Sequence, residues 1–230
     1  MPIKTFESML KERGESLLDM LPDDIEKMLI DNHGIFAGSA MIPKHEINDI
    51  DVFFYNSKDY GKTVDALKQV YKYFETTNCV TINTNLVKVQ LCKYNYPTMK
   101  QLVESFDFAH VQVAYDIFTQ EGTYTEQAKE AFISRTTTFT GSEYPLSSLI
   151  RISKYYERGR IQGRGLIGEV LLIFKAILER GFKDYEDFKD QLNAVDLNFF
   201  DTEGGKNDLA YELYQVCLER GLVDNGRGRL

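Results

Sequence analysis

Between residues 4 and 31, apolar side chains recur at helical spacing: Phe6, Met9 and Leu10, then Leu17, Leu18 and Leu21, then Ile25, Met28 and Leu29. The pattern predicts two helices. Gly14 is expected to interrupt the first, and Pro22-Asp23-Asp24 suits the first turn of the second. Asn32-His33-Gly34 closes it, with Gly34 as the glycine past the helix end. Short apolar runs at 35–37 and 50–55 then predict strands, and 58–76 predicts a long amphipathic helix burying Val64, Leu67, Val70, Tyr71 and Phe74. Runs at 80–82 and 87–92 predict two strands joined by the polar turn 83–85.

Pro97 opens a short helix to Glu104, and 106–115 reads as a strong strand. A turn at 120–122, a helix at 125–134 and a β-branched strip at 136–140 follow. After Gly141 the pattern becomes purely helical, at 145–158, 165–180, 185–192 and 207–220. Arg180-Gly181 and Arg220-Gly221 are cationic helix ends followed by glycine, and the Gly/Arg-rich tail 225–230 is expected to fray. The expected fold is therefore α/β (α+β): a small mixed sheet with flanking helices over 1–141, then a helical domain over 142–230.

Composition narrows the class. A hydrophobic fraction of 43% is that of a globular chain, and 230 residues bury one sizeable core or two modest ones. A net charge of −8 disfavours a broad nucleic-acid-binding surface, though a local basic patch remains compatible with it. No run reaches membrane-spanning length and no apolar signal core opens the chain, so a cytoplasmic protein without membrane contact is expected. Cys79, Cys92 and Cys217, and His33, His45 and His110, are too scattered for a zinc pattern or a disulfide framework. Cys79 and Cys92 read as small buried hydrophobes, His33 and His45 as turn residues, and Tyr155 and Tyr156 as packing residues.

The chemistry concentrates in residues 35–54. Asp49 and Asp51, two apart on a strand, point to one face. Paired carboxylates repel unless a cation lies between them, and hard oxygen ligands at this spacing suit Mg²⁺, with Mn²⁺ as the alternative. Gly38-Ser39, at the end of the preceding strand, offers backbone N–H groups and a hydroxyl to a phosphate. Asp107, between Phe106 and Phe108, is a third acid: a charge among aromatics needs a partner or a metal. If its strand neighbours that of Asp51, three carboxylates converge as in two-metal phosphoryl transfer.

Gly38-Ser39, Asp49-Ile50-Asp51 and Asp107 between hydrophobics together resemble the DNA polymerase β-like nucleotidyltransferase superfamily. That superfamily includes poly(A) and CCA-adding polymerases, aminoglycoside nucleotidyltransferases and cyclic-dinucleotide synthases. More narrowly, residues 106–116 and 151–159 look like small nucleotidyltransferases of phages and large DNA viruses. The resemblance implies an enzyme that transfers NMP from an NTP to a hydroxyl acceptor with release of pyrophosphate. It also implies roles: Gly38 and Ser39 on the β and γ phosphates, Asp49 and Asp51 on both metals, Asp107 completing the acceptor-side metal site.

One further feature is basic. Arg151, Lys154, Arg158, Arg160 and Arg164 stand against the single acid Glu157, and Arg151, Lys154 and Arg158 fall on one helical face. Arg151 and Lys154 are the expected nucleotide ligands, and an RNA acceptor is a further candidate for the patch. RNA ends, protein side chains and small molecules all carry an acceptor hydroxyl, and no residue names one. Two other readings stand beside the transferase: a non-catalytic, antitoxin-like nucleotide-binding module on the same fold, and a synthase joining nucleotides into second messengers.

Overall fold

The computed structural model describes residues 5–42, 47, 49–76, 78–159, 161–193 and 206–223. His45, Arg160 and the tail 225–230 lie outside the described residues. The chain forms two compact units, 1–134 and 135–230.

The first unit is built on a seven-stranded mixed sheet. In chain order its strands are β1 (Ile35–Ala37), β2 (Asp49–Phe54), β3 (Tyr73–Glu75), β4 (Cys79–Asn83), β5 (Lys88–Asn95), β6 (Val113–Asp116) and β7 (Glu121–Tyr124). Across the sheet the order is β3-β4-β5-β2-β1-β6-β7. Only β2 and β5 pair in parallel; the other neighbours are antiparallel. Helices α1 (Phe6–Leu18), α2 (Asp23–Asp31) and α3 (Ser57–Val70) bring Leu10, Leu17, Ile25, Leu29, Val64 and Leu67 onto one core with Phe36, Ile50, Val52, Phe54, Val89 and Leu91. Helix α4 (Met99–Glu104) packs Leu102 and Val103 against a second cluster with Ile35, Ala37, Phe53 and Ala114. Alternation on β2 thus matters. Its even positions enter the first core, whereas its odd positions are Phe53 in the second cluster and the half-buried Asp51 and Asp49.

Several expectations change. Gly14 does not interrupt α1, which runs through it; a Cβ there would lie 2.4 Å from the Tyr115 ring, so the glycine lets the helix approach the sheet. Past α2 the left-handed residue is His33, at φ 52°, not Gly34. His33 and Gly34 N–H groups bond back to Ile30 and Leu29 carbonyls, a Schellman closure with histidine at C′, and the His33 ring packs on Phe118. Helix α3 ends at Val70 rather than 76, and β3 follows as an exposed edge strand. Val70 and Phe74 are therefore exposed, not buried. The run 106–115 is not one strand: Ala109–Val111 forms a 3₁₀ turn and β6 begins only at Val113. From Phe108 to Tyr115 its apolar residues are buried without alternation, and a continuous apolar run does not by itself separate a strand from other buried chain. The turn expected at 120–122 is the left-handed Gln120 followed directly by β7.

Helix α5 (Glu126–Ser134) completes the first unit. The second contains a two-stranded parallel pair, β8 (Thr136–Thr137) and β9 (Ile161–Gln162). Among the described residues its helices are α6 (Pro145–Glu157), α7 (Gly165–Arg180), α8 (Tyr185–Asn193) and Lys206–Glu219. Tyr155 is buried, but Tyr156 is exposed and does not pack. Glu169 of α7 is fully buried and accepts the N–H groups of Phe139 and Arg164 and the Arg164 guanidinium, tying the β8–β9 segment to the helix. Gly181 is left-handed at φ 64°, as the glycine after a cationic helix end should be. Beside it, Arg180 makes a two-pronged contact with Asp187 at 2.6 and 2.7 Å.

That contact yields a pH prediction. Hydrogen bonding from Arg180 holds the Asp187 carboxyl below its ordinary value of 3.8. A lowered carboxylate pKa contributes stability that is fully present above the unfolded value and lost as pH falls through the folded one. Asp187→Asn is expected to cost about 1–3 kcal/mol near neutrality, in the range of a charge-assisted hydrogen bond. The difference from the native chain should shrink below pH 3.8, as thermal unfolding across an acidic pH series would register.

Candidate active site

The site forms where β1 ends beside the first residues of β2. Ala37, the last residue of β1, is the register partner of Asp51. The chain then turns through the 3₁₀ segment Gly38–Met41, with Gly38 at φ 75°. A Cβ on Gly38 would meet Asp51 Oδ2 at 3.4 Å and the Phe106 ring at 3.5 Å, so backbone, carboxylate and ring converge here. Ser39 is half-buried, and its carbonyl accepts the Ile42 N–H. From α1, Arg13 donates through Nε to the Ala40 carbonyl at 2.7 Å, which anchors the turn. Burial lowers the pKa of that guanidinium, though arginine stays charged.

Asp49 and Asp51 are half-buried on the face of β2 that also carries Phe53. On the parallel neighbour β5, Gln90 is the register partner of Asp51 and donates through Nε2 to Asp49 Oδ2 at 3.0 Å. Cys92, two residues on, shares that face. Burial first, then the Asp51 carboxylate, Cys79 and Asp49, push its thiol well above the usual thiol range. Cys92 is thus held as a neutral thiol against the acidic pair.

Asp107 arrives differently from the expectation. Strand β6 pairs with β1, not β2, and Asp107 precedes it in a loop. Asp107 is buried, and the loop is pinned by Gln112, which donates to the Phe106 carbonyl at 3.1 Å and accepts from Thr125 at 2.8 Å. Phe106, its neighbour in sequence, is the ring beside Gly38. Among the described residues, no group of three or more His, Cys, Asp or Glu is placed to hold a metal ion. Arg151 and Lys154 both lie on α6 of the second unit, Arg151 half-buried and Lys154 exposed; Arg164 pairs with Glu169 at 3.2 Å. Neither Gln90 nor Arg13 stood out in the sequence, because a glutamine on a strand and an arginine on an amphipathic helix are ordinary residues there.

Gly38 gives a local prediction. An L-residue at φ 75° carries a penalty of roughly 1–2 kcal/mol, while the added Cβ would make only ordinary contact with Asp51. Gly38→Ala should lower unfolding stability by about that amount, as a urea titration would measure.

The fold defines the class first. The Thermotoga maritima CCA-adding enzyme complexed with tRNA superposes with a TM-score of 0.53 at 10% identity, covering 77% of this chain and 50% of the enzyme. A CCA-adding enzyme with ATP gives 0.53 at 10% identity (78% and 49%), and one with CTP gives 0.51 at 10% identity (78% and 49%). The chain spans about half the length of these enzymes, and it has the nucleotidyltransferase fold. No curated protein sequence matches it. The profile of the Gabija anti-defense 2 family matches residues 8–135, more than half of the chain and nearly all of the sheet-bearing unit. The protein belongs to the Gabija anti-defense 2 family. Among the described residues, no helix is long and apolar enough to cross a membrane.

Proposed function

We propose that this protein is a divalent-metal-dependent nucleotidyltransferase of the small phage and large-virus kind, and that NMP transfer serves the anti-defense role in its family's name. The observation that carries this reading is the pair Asp49 and Asp51 on one face of β2, against the left-handed Gly38 turn. The donor set fits Mg²⁺ or Mn²⁺, because such ions are commonly held by one or two carboxylates with substrate phosphates supplying the rest. When bound, the ion would offset charge on the triphosphate and on the leaving pyrophosphate.

The chain's own residues do the remainder. Backbone N–H groups at Gly38 and Ser39 and the Ser39 hydroxyl bind phosphate oxygens, where the absence of a side chain at Gly38 permits close approach. Asp49 and Asp51 hold the ion. Asp107 is the third acid, on the acceptor side. Arg151 and Lys154 are proposed to contribute positive charge to nucleotide binding. The acceptor hydroxyl oxygen attacks the α-phosphorus as its proton passes to solvent, the bond from that phosphorus to the bridging oxygen breaks, and pyrophosphate leaves with the bridging oxygen. The structural neighbours carry ATP and CTP in their names, which makes these the first nucleotides to test.

The family name supports an acceptor within the Gabija defence, protein or RNA. Incubating the protein with each labelled NTP, Mg²⁺ or Mn²⁺, and an extract of cells with or without that defence tests this. Label in a macromolecule of the defence-bearing extract alone supports it; label in both extracts alike counts against it. A second reading is compatible with the family's description, which gives an anti-defense role. It is a non-catalytic module that binds nucleotide without releasing pyrophosphate.

A further inference from the structure

A neutral polar side chain is hydrogen-bonded to the acidic pair. Gln90 sits opposite Asp51 in the parallel β2–β5 register and spends its amide N–H on Asp49 Oδ2 at 3.0 Å. Its position is fixed on both sides: Thr81 of β4 is its register partner across the antiparallel pair, and Cys92 follows it on the same face. A half-buried carboxylate free to rotate would lose rotamer entropy on binding an ion, and a hydrogen bond from a strand-borne amide removes that freedom beforehand.

We propose that Gln90 is the positioning residue of the acidic pair, orienting Asp49 and, by being neutral, adding no charge of its own beside Asp49 and Asp51. This rests on the reading that Asp49 and Asp51 hold a divalent ion. The two properties of glutamine can be separated. Methionine has similar length but no donor, so it removes the orienting bond. Glutamate keeps the shape but replaces the donor with a third negative charge beside Asp49, which raises repulsion in the empty pocket and attraction for a cation.

The test is a titration of Mn²⁺ alone into the full chain, followed by the electron paramagnetic resonance signal of free Mn²⁺, with Asp51→Asn measured alongside. Gln90→Met is expected to bind roughly 10–100-fold more weakly, the usual effect of removing a partner that orients a metal ligand. Gln90→Glu is expected to bind about tenfold or more tightly, reversing the usual direction of damage. A role in sheet packing alone would move unfolding stability in both variants and Mn²⁺ affinity in neither. If Gln90→Met does not fold, Gln90→Ala, which also lacks the donor, is measured in its place with the same expectation. Wild-type affinity in the Gln90 variants, with binding lost in Asp51→Asn, overturns the positioning role and leaves the ion site intact. Wild-type affinity in Asp51→Asn overturns both.

Discussion

Asp51→Asn, and separately Asp49→Asn, should reduce NMP transfer by on the order of a thousandfold or more while leaving the fold intact, the scale expected when the groups that stabilise developing phosphate charge are removed. Fold and activity separate here for a physical reason. Both carboxylates are half-buried rather than sealed in the core, and asparagine keeps a side-chain oxygen that can accept the Gln90 amide at position 49. Two like charges on one strand face repel, and asparagine keeps the volume while removing that charge–charge repulsion. Unfolding stability should therefore stay within about 0.5 kcal/mol of the native chain or rise, as for surface substitutions away from packed features. The binding side has no such compensation: a divalent ion between one carboxylate and one amide loses a full charge of attraction. Circular dichroism melting and pyrophosphate release, measured on the same preparations, check both halves.

Gly14→Ala should destabilise the first unit by about 2 kcal/mol or more, against the helix-propensity trend. Alanine is favoured over glycine inside a helix by about 1 kcal/mol, so propensity alone predicts a gain. The steric term is larger. The new Cβ would sit 2.4 Å from two atoms of the Tyr115 ring and 2.6 Å from a third, and Tyr115 is itself fully buried on β6. Neither the ring nor the helix can yield without opening the core shared by Leu10, Leu17 and Tyr115. Equilibrium unfolding in urea should show the loss, and Tyr115→Leu in the same chain should recover part of it. A stabilised Gly14→Ala single variant would mean that α1 does not pack as described.

Much of this was legible in the sequence, and the failures have identifiable causes. Helical periodicity located α1, α2 and the helices of the second unit, because an amphipathic stripe reports its own burial. The β4–β5 hairpin was equally readable from two apolar runs around a polar turn. Gly14 was misread because glycine's cost in a helix is local and visible, whereas its use against Tyr115 is tertiary and is not. The edge strand β3 was absorbed into α3 because Val70 and Phe74 continued an apolar pattern that the structure leaves exposed. At the site, Gly38, Asp49 and Asp51 were singled out by type and spacing, and the resemblance supplied the roles expected of them. Asp107 was placed on the wrong kind of element, since a run of buried apolar residues does not distinguish a strand from a 3₁₀ turn. Gln90 was invisible because its significance lies in the β2–β5 register, which no local pattern encodes.

The central claim is catalysis at the Asp49–Asp51 pair, and the most direct test is pyrophosphate release. Wild type and Asp51→Asn would each be incubated with ATP or CTP, Mn²⁺ and the defence-bearing extract, with nucleotide binding measured in parallel. The account predicts pyrophosphate from wild type and none above background from Asp51→Asn. Nucleotide binding by wild type without pyrophosphate release, under every acceptor and metal tried, would contradict it.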